Sequence, residues 1–327
     1  YLLKLSDALR PLSDATAIQL AATEILGGHL GVDRAQYADI DEAQGNWVVS
    51  GSYLRDGAMP FSGRGRIEDF GKESEKQRAG ITIAIADAAT DASLTSAERE
   101  AFAAIEARAV LSVPLIKEGQ WVATLSLHHS SAREWSEAEI KLAQETAERT
   151  WAAVERARAE ESLRESEEQF RRAIEDAPIP VIMHAEDGEV LQVSRSWTEL
   201  TGYTLEDKAV IQTWLTLAYG FGGEKVRDAM EQTFAPQTGK PMRAVVFDIT
   251  TRAGERRTWS FSASTPGTLG DGRRFVVGMA EDITERMRAE ETLRESERRF
   301  RSVFSGNMTA MGIWTKDGGI VDANDAL

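Results

Sequence analysis

The feature that most constrains this chain is an internal repeat with an offset of 130 residues. The segment at 159–171, AEESLRESEEQFR, returns without a gap at 289–301 as AEETLRESERRFR. The match continues downstream, where Asp187-Gly188 corresponds to Asp317-Gly318. A repeat of this period indicates an array of similar modules rather than one large domain. In this chain each module is entered through a charged helix.

Composition limits the class of protein. The length of 327 residues predicts two or three domains, and the hydrophobic fraction of 42% and charged fraction of 28% are typical of globular proteins. The net charge of −15 argues against a nucleic-acid surface, which needs a clustered basic face. Because the sequence has no cysteine, disulfides, zinc–thiolate sites, thiol nucleophiles and thioether-linked cofactors are excluded within this stretch.

The sequence also carries signals about location. No segment is long and apolar enough to cross a bilayer, and no signal peptide opens the chain. The chain starts at Tyr1 rather than at a methionine and stops at Leu327 inside the repeated module, so we expect a fragment of a longer protein. As it stands, the stretch is predicted to be soluble and cytoplasmic, with no membrane segment.

Residues 1–155 predict one α+β domain. Apolar residues at helical spacing predict two helices within 1–30, the second of which ends at Gly27-Gly28. Runs typical of strands lie at 35–40, 47–53, 81–87, 109–116 and 121–128. The last two runs are separated by a four-residue turn and predict a hairpin. Capping-box patterns begin a helix at Thr95 and another at Ser136, and the second helix is predicted to run unbroken to about Glu175.

A heptad pattern marks the connecting helices, predicted at 140–175 and 284–303. Apolar and small residues spaced 4, 3, 4, 3 occur in both copies of the repeat, at Ala159, Leu163, Ser166, Phe170 and Ala173, and at Ala289, Leu293, Ser296, Phe300 and Val303. This spacing is that of a short coiled coil and predicts a parallel homodimer. Upstream, Ile140, Ala147 and Val154 form a stripe on a different face, so the seam shifts phase near residue 156. The alternative is a solvated helix that only spaces domains.

After Pro178 the pattern changes to short strands separated by turns. Strands are predicted at 181–185, 189–193, 243–250, 256–263 and 274–282. Helices are predicted between the second and third of these strands, at 196–203, 205–210 and 224–234. This order predicts a small, half-open antiparallel sheet with helices over one face. The predicted fold class of the whole chain is therefore α+β, with antiparallel sheets and flanking helices joined by long helices.

The second unit, at about 166–287, resembles a PAS domain with its C-terminal PAC motif. The resemblance rests on Leu200-Thr201-Gly202-Tyr203-Thr204, on Trp259, and on the segment GMAEDITER at 278–286. In that family an Asp–x–Thr pair caps the outgoing helix and anchors it to the sheet, which implies these roles for Asp282 and Thr284. Both residue types suit a helix N-cap, and Glu285 is the expected capping-box partner of Asp282. Residues 296–327 resemble the start of a second PAS domain.

Residues 1–155 resemble a GAF domain of the kind found in bacterial sensor kinases, a group related to phytochromes. The residues that carry this resemblance are SVPLIKEG at 112–119, LSLHH at 125–129 and Trp135-Ser136. The sequence departs from phytochromes in three ways. It has no Asp-Ile-Pro segment, Glu98 stands where those proteins have a histidine beside the pyrrole rings, and no cysteine is available. We therefore expect no covalent bilin through this stretch.

Several side chains are candidates for a ligand pocket. His128 and His129 end an apolar strand, so one points inward and one outward, either as a ligand contact or as a hydrogen-bonded core histidine. In the PAS unit, Trp197, Trp214, Phe247 and Trp259 either line a small-molecule pocket or fill the core. No metal site is expected, since further ligands at suitable spacing are missing.

Cofactor and output are less constrained. Cysteinyl-flavin photochemistry is excluded by the absence of cysteine, and heme is not favoured because the helix that holds the axial histidine in heme-binding PAS domains has none here. The identity of the ligand is unknown. This stretch also lacks a catalytic constellation.

The resemblance implies the sensory input and relay region of a two-component sensor. A ligand or partner bound to the GAF or PAS pocket would act through the dimeric helices on a downstream histidine kinase and its response regulator. The residues assigned to this relay are Asp282, Thr284, Leu163, Phe170, Leu293 and Phe300. The alternatives are the input region of a diguanylate cyclase or phosphodiesterase, and a ligand-free dimerisation scaffold. No nucleic-acid partner is expected.

Overall fold

A computed structural model describes residues 1–58, 63–205, 244–305 and 309–323 of the chain. It divides into two units, Tyr1–Ser166 and Glu167–Leu327. Both units contain antiparallel sheets with flanking helices, so the predicted α+β class is confirmed.

The first unit contains helices and strands that alternate along the chain. Its first half holds α1 (Leu2–Leu9), α2 (Ala15–Leu30), β1 (Arg34–Asp41), β2 (Asn46–Leu54), β3 (Gly63–Arg66), a 3-10 helix at Ile67–Phe70 and α3 (Lys72–Arg78). Its second half holds β4 (Ile83–Ile85), α4 (Ser96–Ala104), β5 (Ala109–Lys117), β6 (Gln120–His129) and the start of α5 (Glu137–Glu175). The strands form one six-stranded antiparallel sheet in the order β3-β2-β1-β6-β5-β4.

The two faces of this sheet differ in chemistry. On one face, Leu125 and Leu127 of β6 pack with Tyr37 of β1 and with Ala143 and Ala147 of α5 in the main hydrophobic core. Because side chains alternate along a strand, the intervening residues of the same strands face the other way. That second face carries polar side chains and is covered by α3 and α4 rather than by the long helices.

Most predicted elements of this unit are confirmed, and their local signals explain why. The hairpin of β5 and β6 forms across 117–120. Both capping boxes form: Thr95 accepts from the Glu98 amide at 3.2 Å, and Ser136 accepts from the Glu139 amide at 3.3 Å. Helix α5 is unbroken to Glu175, as predicted. The predicted strand at 81–87 is shorter, since β4 covers only Ile83–Ile85.

The predicted end of the second helix at Gly27-Gly28 is wrong. Helix α2 continues to Leu30 and ends at Gly31, which has a left-handed φ of 65°. The ring of Tyr53 lies against Gly27, and a Cβ at this position would be 2.1 Å from Cδ1 of Tyr53. Gly27 therefore allows a close contact between α2 and β2 and does not end the helix.

The second unit is smaller in its described part. After the end of α5 it contains β7 (Val181–Ala185), β8 (Val190–Val193), α6 (Arg195–Thr201), β9 (Val245–Thr250), β10 (Arg256–Thr268), β11 (Arg274–Asp282) and α7 (Thr284–Ser305). The strands form an antiparallel sheet in the order β8-β7-β11-β10-β9. The helices predicted at 205–210 and 224–234 fall outside the described residues, apart from Leu205.

The repeat is visible in the backbone as well as in the sequence. Strands β12 (Gly312–Trp314) and β13 (Ile320–Ala323) form a two-stranded antiparallel sheet. They stand 130 residues after the central part of β7 and after β8, and a glycine with φ near 90° turns each hairpin, at Gly188 and Gly318. The repeated sequence therefore encodes the same local hairpin twice.

The contact between Gly27 and Tyr53 yields a matched pair of substitutions. We expect Gly27→Ala to destabilise the first unit by about 1–3 kcal/mol, because the added methyl group overpacks the site. Gly28→Ala is the control, since a Cβ there meets nothing within 4 Å. It should stabilise the helix by about 0.5–1 kcal/mol. Urea unfolding of both variants measures the difference, and equal effects of the two would contradict this packing.

Candidate functional site

A cavity of about 600 Å³ lies over the polar face of the first sheet. Strands β1, β2, β5 and β6 form its floor, and α3, α4 and the 3-10 helix at Ile67–Phe70 contribute its other walls. The floor positions alternate with core positions: Gln36 and Ala38 line the cavity, whereas Ala35 and Tyr37 belong to the core on the other face. The volume is within the range of small-molecule sites.

A row of polar side chains on β6 crosses the floor. Thr124, Ser126 and His128 line the cavity, whereas Ala123, Leu125 and Leu127 between them are buried in the core. Thr124 donates to Oε1 of Gln77 at 2.8 Å and accepts from the Trp121 indole at 2.9 Å, and the hydroxyls of Ser112 and Ser126 are 3.1 Å apart. The floor of the cavity is therefore held by hydrogen bonds between neutral groups.

His128 is held as a neutral imidazole. Its Nδ1 lies 3.1 Å from Nη1 of Arg34, and because a guanidinium can only donate, Nδ1 accepts and the ring proton is on Nε2. Burial, and then the charge of Arg34, lower the pKa of His128 to about 3. Arg34 also donates to the carbonyl of Ile105 at 3.0 Å, which ties the end of α4 to the floor.

His129 has a different environment. It is the last residue of β6, where its Nδ1 is 2.5 Å from Oδ2 of Asp33. Burial alone raises the pKa of Asp33, but hydrogen bonds from Ser130 and His129 and the charge of His129 lower it to about 2. His128 thus lines the cavity and His129 does not, which is the inward and outward arrangement that strand alternation predicts.

Glu98 links the two helices over the cavity. Its carboxylate accepts from the Thr95 amide at 2.7 Å in the capping box and from the Lys72 amide at 3.3 Å. The hydrogen bonds from Thr95 lower the pKa of Glu98 below its usual value. The carboxylate therefore stands at the cavity wall as an anion that joins the start of α4 to the start of α3.

In the second unit the candidate aromatic residues fill the core. The rings of Trp197 and Trp259 meet edge to face with centroids 5.5 Å apart, and both side chains are fully buried. Phe247 and Phe261 pack against them. Trp214 lies outside the described residues. The structure thus brings Trp197, Phe247 and Trp259 together as core within the described part of this unit.

The junction at Asp282 joins the sheet of the second unit to its outgoing helix. Oδ1 of Asp282 accepts from the amide of Thr284 at 3.0 Å, and Oδ2 accepts from Arg257 of β10 at 2.9 Å. Oγ1 of Thr284 in turn accepts from the backbone amide of Thr258 at 2.9 Å. Burial alone raises the pKa of Asp282, but the hydrogen bonds from Thr284 and Arg257 lower it below its usual value.

The predicted capping box at this junction is corrected in its detail. Helix α7 begins at Thr284, so Ile283 is the N-cap position and Asp282 precedes it. Glu285 is the second residue of the helix. That spacing does not match a capping box, which pairs the N-cap with the third helical residue. The partners of Asp282 are Thr284 and Arg257 instead, and together they tie the first turn of α7 to β10.

The heptad stripe is exposed on both connecting helices. The exposed fraction is 61% for Leu163, 50% for Phe170, 61% for Leu293 and 50% for Phe300. The upstream stripe is not: Ala147 and Val154 are fully buried against their own domain, Val154 in a cluster with α1 and α2. Nine residues separate Val154 from Leu163, so at about 100° per residue the two stripes lie about 180° apart on α5.

Among the described residues, no cluster of three or more histidine, aspartate or glutamate side chains is suited to hold a metal ion. Nor does any helix within the described ranges offer an apolar run of membrane-spanning length.

Comparison with protein families agrees with this architecture. The family model of the GAF domain matches residues 14–154, and a model of the PAS domain matches residues 168–233. The chain carries a GAF domain followed by a PAS domain. The cavity over the polar face of the first sheet belongs to the GAF domain, and the Trp197–Trp259 core lies in the PAS unit.

One curated relative matches part of the chain. The uncharacterized protein y4lL of Sinorhizobium fredii is 35% identical over 134 residues, which are 40% of this chain and 15% of that protein. The chain therefore matches only a small part of that relative.

Solved structures give similar coverage. The GAF domain of PixJ from Thermosynechococcus elongatus, in its blue-light absorbing form, is 24% identical over 46% of this chain and 91% of that one, with a TM-score of 0.41. The free methionine-R-sulfoxide reductase of Neisseria meningitidis, in complex with its substrate, is 14% identical over 48% of this chain and 88% of that one, with a TM-score of 0.39.

The buried neutral state of His128 predicts a pH dependence. The pKa in the folded chain, about 3, lies below the reference value of 6.5, so between these values the unfolded chain binds a proton that the folded chain does not. Stability should therefore fall as the pH drops through this window. We expect His128→Gln to make the free energy of unfolding less dependent on pH. The slope should decrease by the contribution of one proton, about 1.4 kcal/mol per pH unit, between about pH 5.5 and about pH 4.

The measurement is urea unfolding of the GAF domain at a series of pH values. Ser126→Ala is the matched control, because Ser126 lines the same cavity two residues away and does not titrate. Its stability curve should stay parallel to that of the unsubstituted chain. Parallel curves for His128→Gln as well would show that His128 is not held neutral by the fold.

Proposed function

We propose that this chain is the sensory input and relay region of a cytoplasmic signalling protein, with the GAF cavity as its ligand site. The observation that carries this proposal is the double role of strand β6. Thr124, Ser126 and His128 face the cavity, and the residues between them, Leu125 and Leu127, face the core that includes α5. One strand therefore separates the ligand site from the helix that leaves the domain.

Close packing supports transmission through this strand. Ala143 and Ala147 are fully buried in the same hydrophobic core as Leu125 and Leu127 of β6. Protein interiors are packed at high density, so a shift of β6 has to be accommodated by its neighbours. A ligand that moves the floor of the cavity would thus alter the packing of α5, and two alternative packings would give a switch.

The same helix supplies the route out of the GAF domain. It continues without a break from Glu137 to Glu175, and its distal part exposes the stripe of Leu163 and Phe170. We propose that this stripe pairs with the same stripe of a second copy as a parallel coiled coil. The equal spacing of Leu293 and Phe300 on α7 supports a second pairing of the same kind.

The PAS domain takes the next position in the relay. Asp282 and Thr284 tie α7 to β10, so movement within the PAS sheet would reach α7 through this junction. We propose that α7 leads into a second PAS domain that starts within 296–327 and then to an output domain of the longer protein. The resemblance to bacterial sensors supports a histidine kinase that phosphorylates a response regulator.

The seam predicts an effect on oligomeric state. We expect the double variant Leu163→Glu and Phe170→Glu to weaken the dimer, because it puts like charges into one apolar interface and leaves only the proposed pairing of α7. The matched control is Ser162→Glu with Gln169→Glu, which has the same spacing and the same added charge one residue away from the seam. Both control positions are exposed.

Light scattering coupled to size exclusion measures the mass of each protein. Across a dilution series, the unsubstituted chain and the control should keep the mass of a dimer at concentrations where the seam variant falls to the mass of one chain. A monomeric unsubstituted chain, or a seam variant that dissociates at the same concentrations as the control, would refute the coiled-coil pairing at this stripe.

A further inference from the structure

We propose that the GAF cavity takes an aromatic molecule that carries no negative charge and offers a hydrogen-bond acceptor, and that it rejects phosphates and carboxylates. The inference rests on the proposed function of this cavity as a ligand site and names the class of ligand. It is argued from the walls, the charges and the donors of the cavity.

The walls favour flat apolar groups. Two indole side chains, Trp47 and Trp121, and the ring of Phe102 line the cavity. Aliphatic side chains complete these walls, among them Ile83, Ile105 and Val110. Aromatic rings stack on or pack edge to face against indoles with a preference beyond simple burial. An aromatic ligand of moderate size would thus find complementary surfaces on several sides.

The charges disfavour an anion. Glu68, Glu73 and Glu98 line the cavity, and Lys72 is the one cationic side chain among its described lining residues. Oε1 of Glu73 is paired with Lys76 at 2.9 Å, but Oε2 is buried without a hydrogen-bond partner among the described residues. A buried anion needs paired charges or several donors. Here it would instead lie close to carboxylates, which repel it.

The cationic group next to the floor, Arg34, does not offset the negative charge of these carboxylates. Arg34 is buried, and its guanidinium is already bonded to His128 and to the carbonyl of Ile105. Asp33 and Glu106 lie close enough to Arg34 to balance its charge. His128 itself remains neutral above about pH 3. The floor therefore offers neutral hydrogen bonds and no free positive charge among the residues named.

The donor at the floor sets the complementary group on the ligand. Because Nδ1 of His128 accepts from Arg34, the donor that this ring can offer is Nε2–H. The hydroxyls of Ser112 and Ser126 together offer one further donor, since one of their two hydrogens is used in the hydrogen bond between them. A carbonyl or ring nitrogen on the ligand would match these donors.

Two dyes with the same ring skeleton test the charge rule directly. N-phenyl-1-naphthylamine is uncharged, and 1-anilinonaphthalene-8-sulfonate adds a single sulfonate to it. We expect the uncharged dye to bind the full chain at least tenfold more tightly, measured by fluorescence titration near neutral pH. Ala38→Trp places a large side chain in the cavity and should weaken binding of the uncharged dye at least tenfold, which separates the cavity from other apolar surfaces.

A charge substitution gives the second arm. Glu68→Lys at the cavity wall should strengthen binding of the sulfonate dye at least threefold and leave the uncharged dye unchanged. Glu100→Lys is the matched control, because Glu100 is an exposed residue of α4 that does not line the cavity. It should change the binding of neither dye more than twofold at physiological salt, which screens the charge of an exposed side chain.

The outcomes distinguish this inference from the proposed function. If Ala38→Trp leaves the binding of both dyes unchanged, the cavity takes no ligand and both proposals fall. If the sulfonate dye binds as tightly as the uncharged dye, and Ala38→Trp abolishes that binding, the cavity is a ligand site but the charge rule is wrong. Equal effects of Glu68→Lys and Glu100→Lys would also refute the charge rule.

Discussion

The hydrophobic core that β6 shares with α5 is the feature on which the proposed relay through the GAF domain depends. Side chains alternate along a strand, so β6 presents Leu125 and Leu127 to one layer and Ser126 and His128 to the other. The apolar side binds the exit helix through Ala143 and Ala147. The polar side is the floor of the cavity. A domain built in this way has its cavity and its outgoing helix on opposite faces of a single layer of backbone.

The long helix has two separate tasks along its length. Its first part buries Ala147 and Val154 against its own domain, and its distal part exposes Leu163 and Phe170 on the opposite side. The shift of phase near residue 156 is therefore the place where contacts within the domain end. It does not interrupt one continuous coiled-coil stripe, because Ala147 and Val154 of the upstream stripe are buried in the hydrophobic clusters of their own domain.

The sequence predicted the elements whose signals are local. The capping boxes at Thr95 and Ser136, the β5–β6 hairpin and the end of α5 depend on residues within a few positions of each other, and all of these were placed correctly. The capping box predicted at Asp282 is the exception, because the hydrogen bonds of Asp282 to Thr284 and Arg257 replace it. Gly27 was misinterpreted because its partner, Tyr53, is distant in sequence. His128 was identified as a candidate, but Arg34, which fixes its tautomer, was missed since a charged residue at the start of a strand carries no signal of burial.

Most of the cavity was also missed, although a signal was present. In β6, Thr124, Ser126 and His128 alternate with buried apolar residues, and such alternation is typical of a strand with one polar face. The same alternation is found in strands whose polar face is exposed to water, so it does not by itself indicate a cavity. The helices α3 and α4 convert that face into an enclosed site, and their placement depends on contacts such as that of Glu98 with the Lys72 amide.

We propose that a change in the cavity reaches α5 through β6. Hydrogen–deuterium exchange of the full chain with Ala38→Trp, which fills the cavity from β1, measures this coupling. We expect changed protection in β6 together with changed protection in α5 over 137–157, where helix residues such as Ala147 and Val154 are buried against their own domain. Changed exchange in β1 and β6, with 137–157 at the rates of the unsubstituted chain, would contradict it.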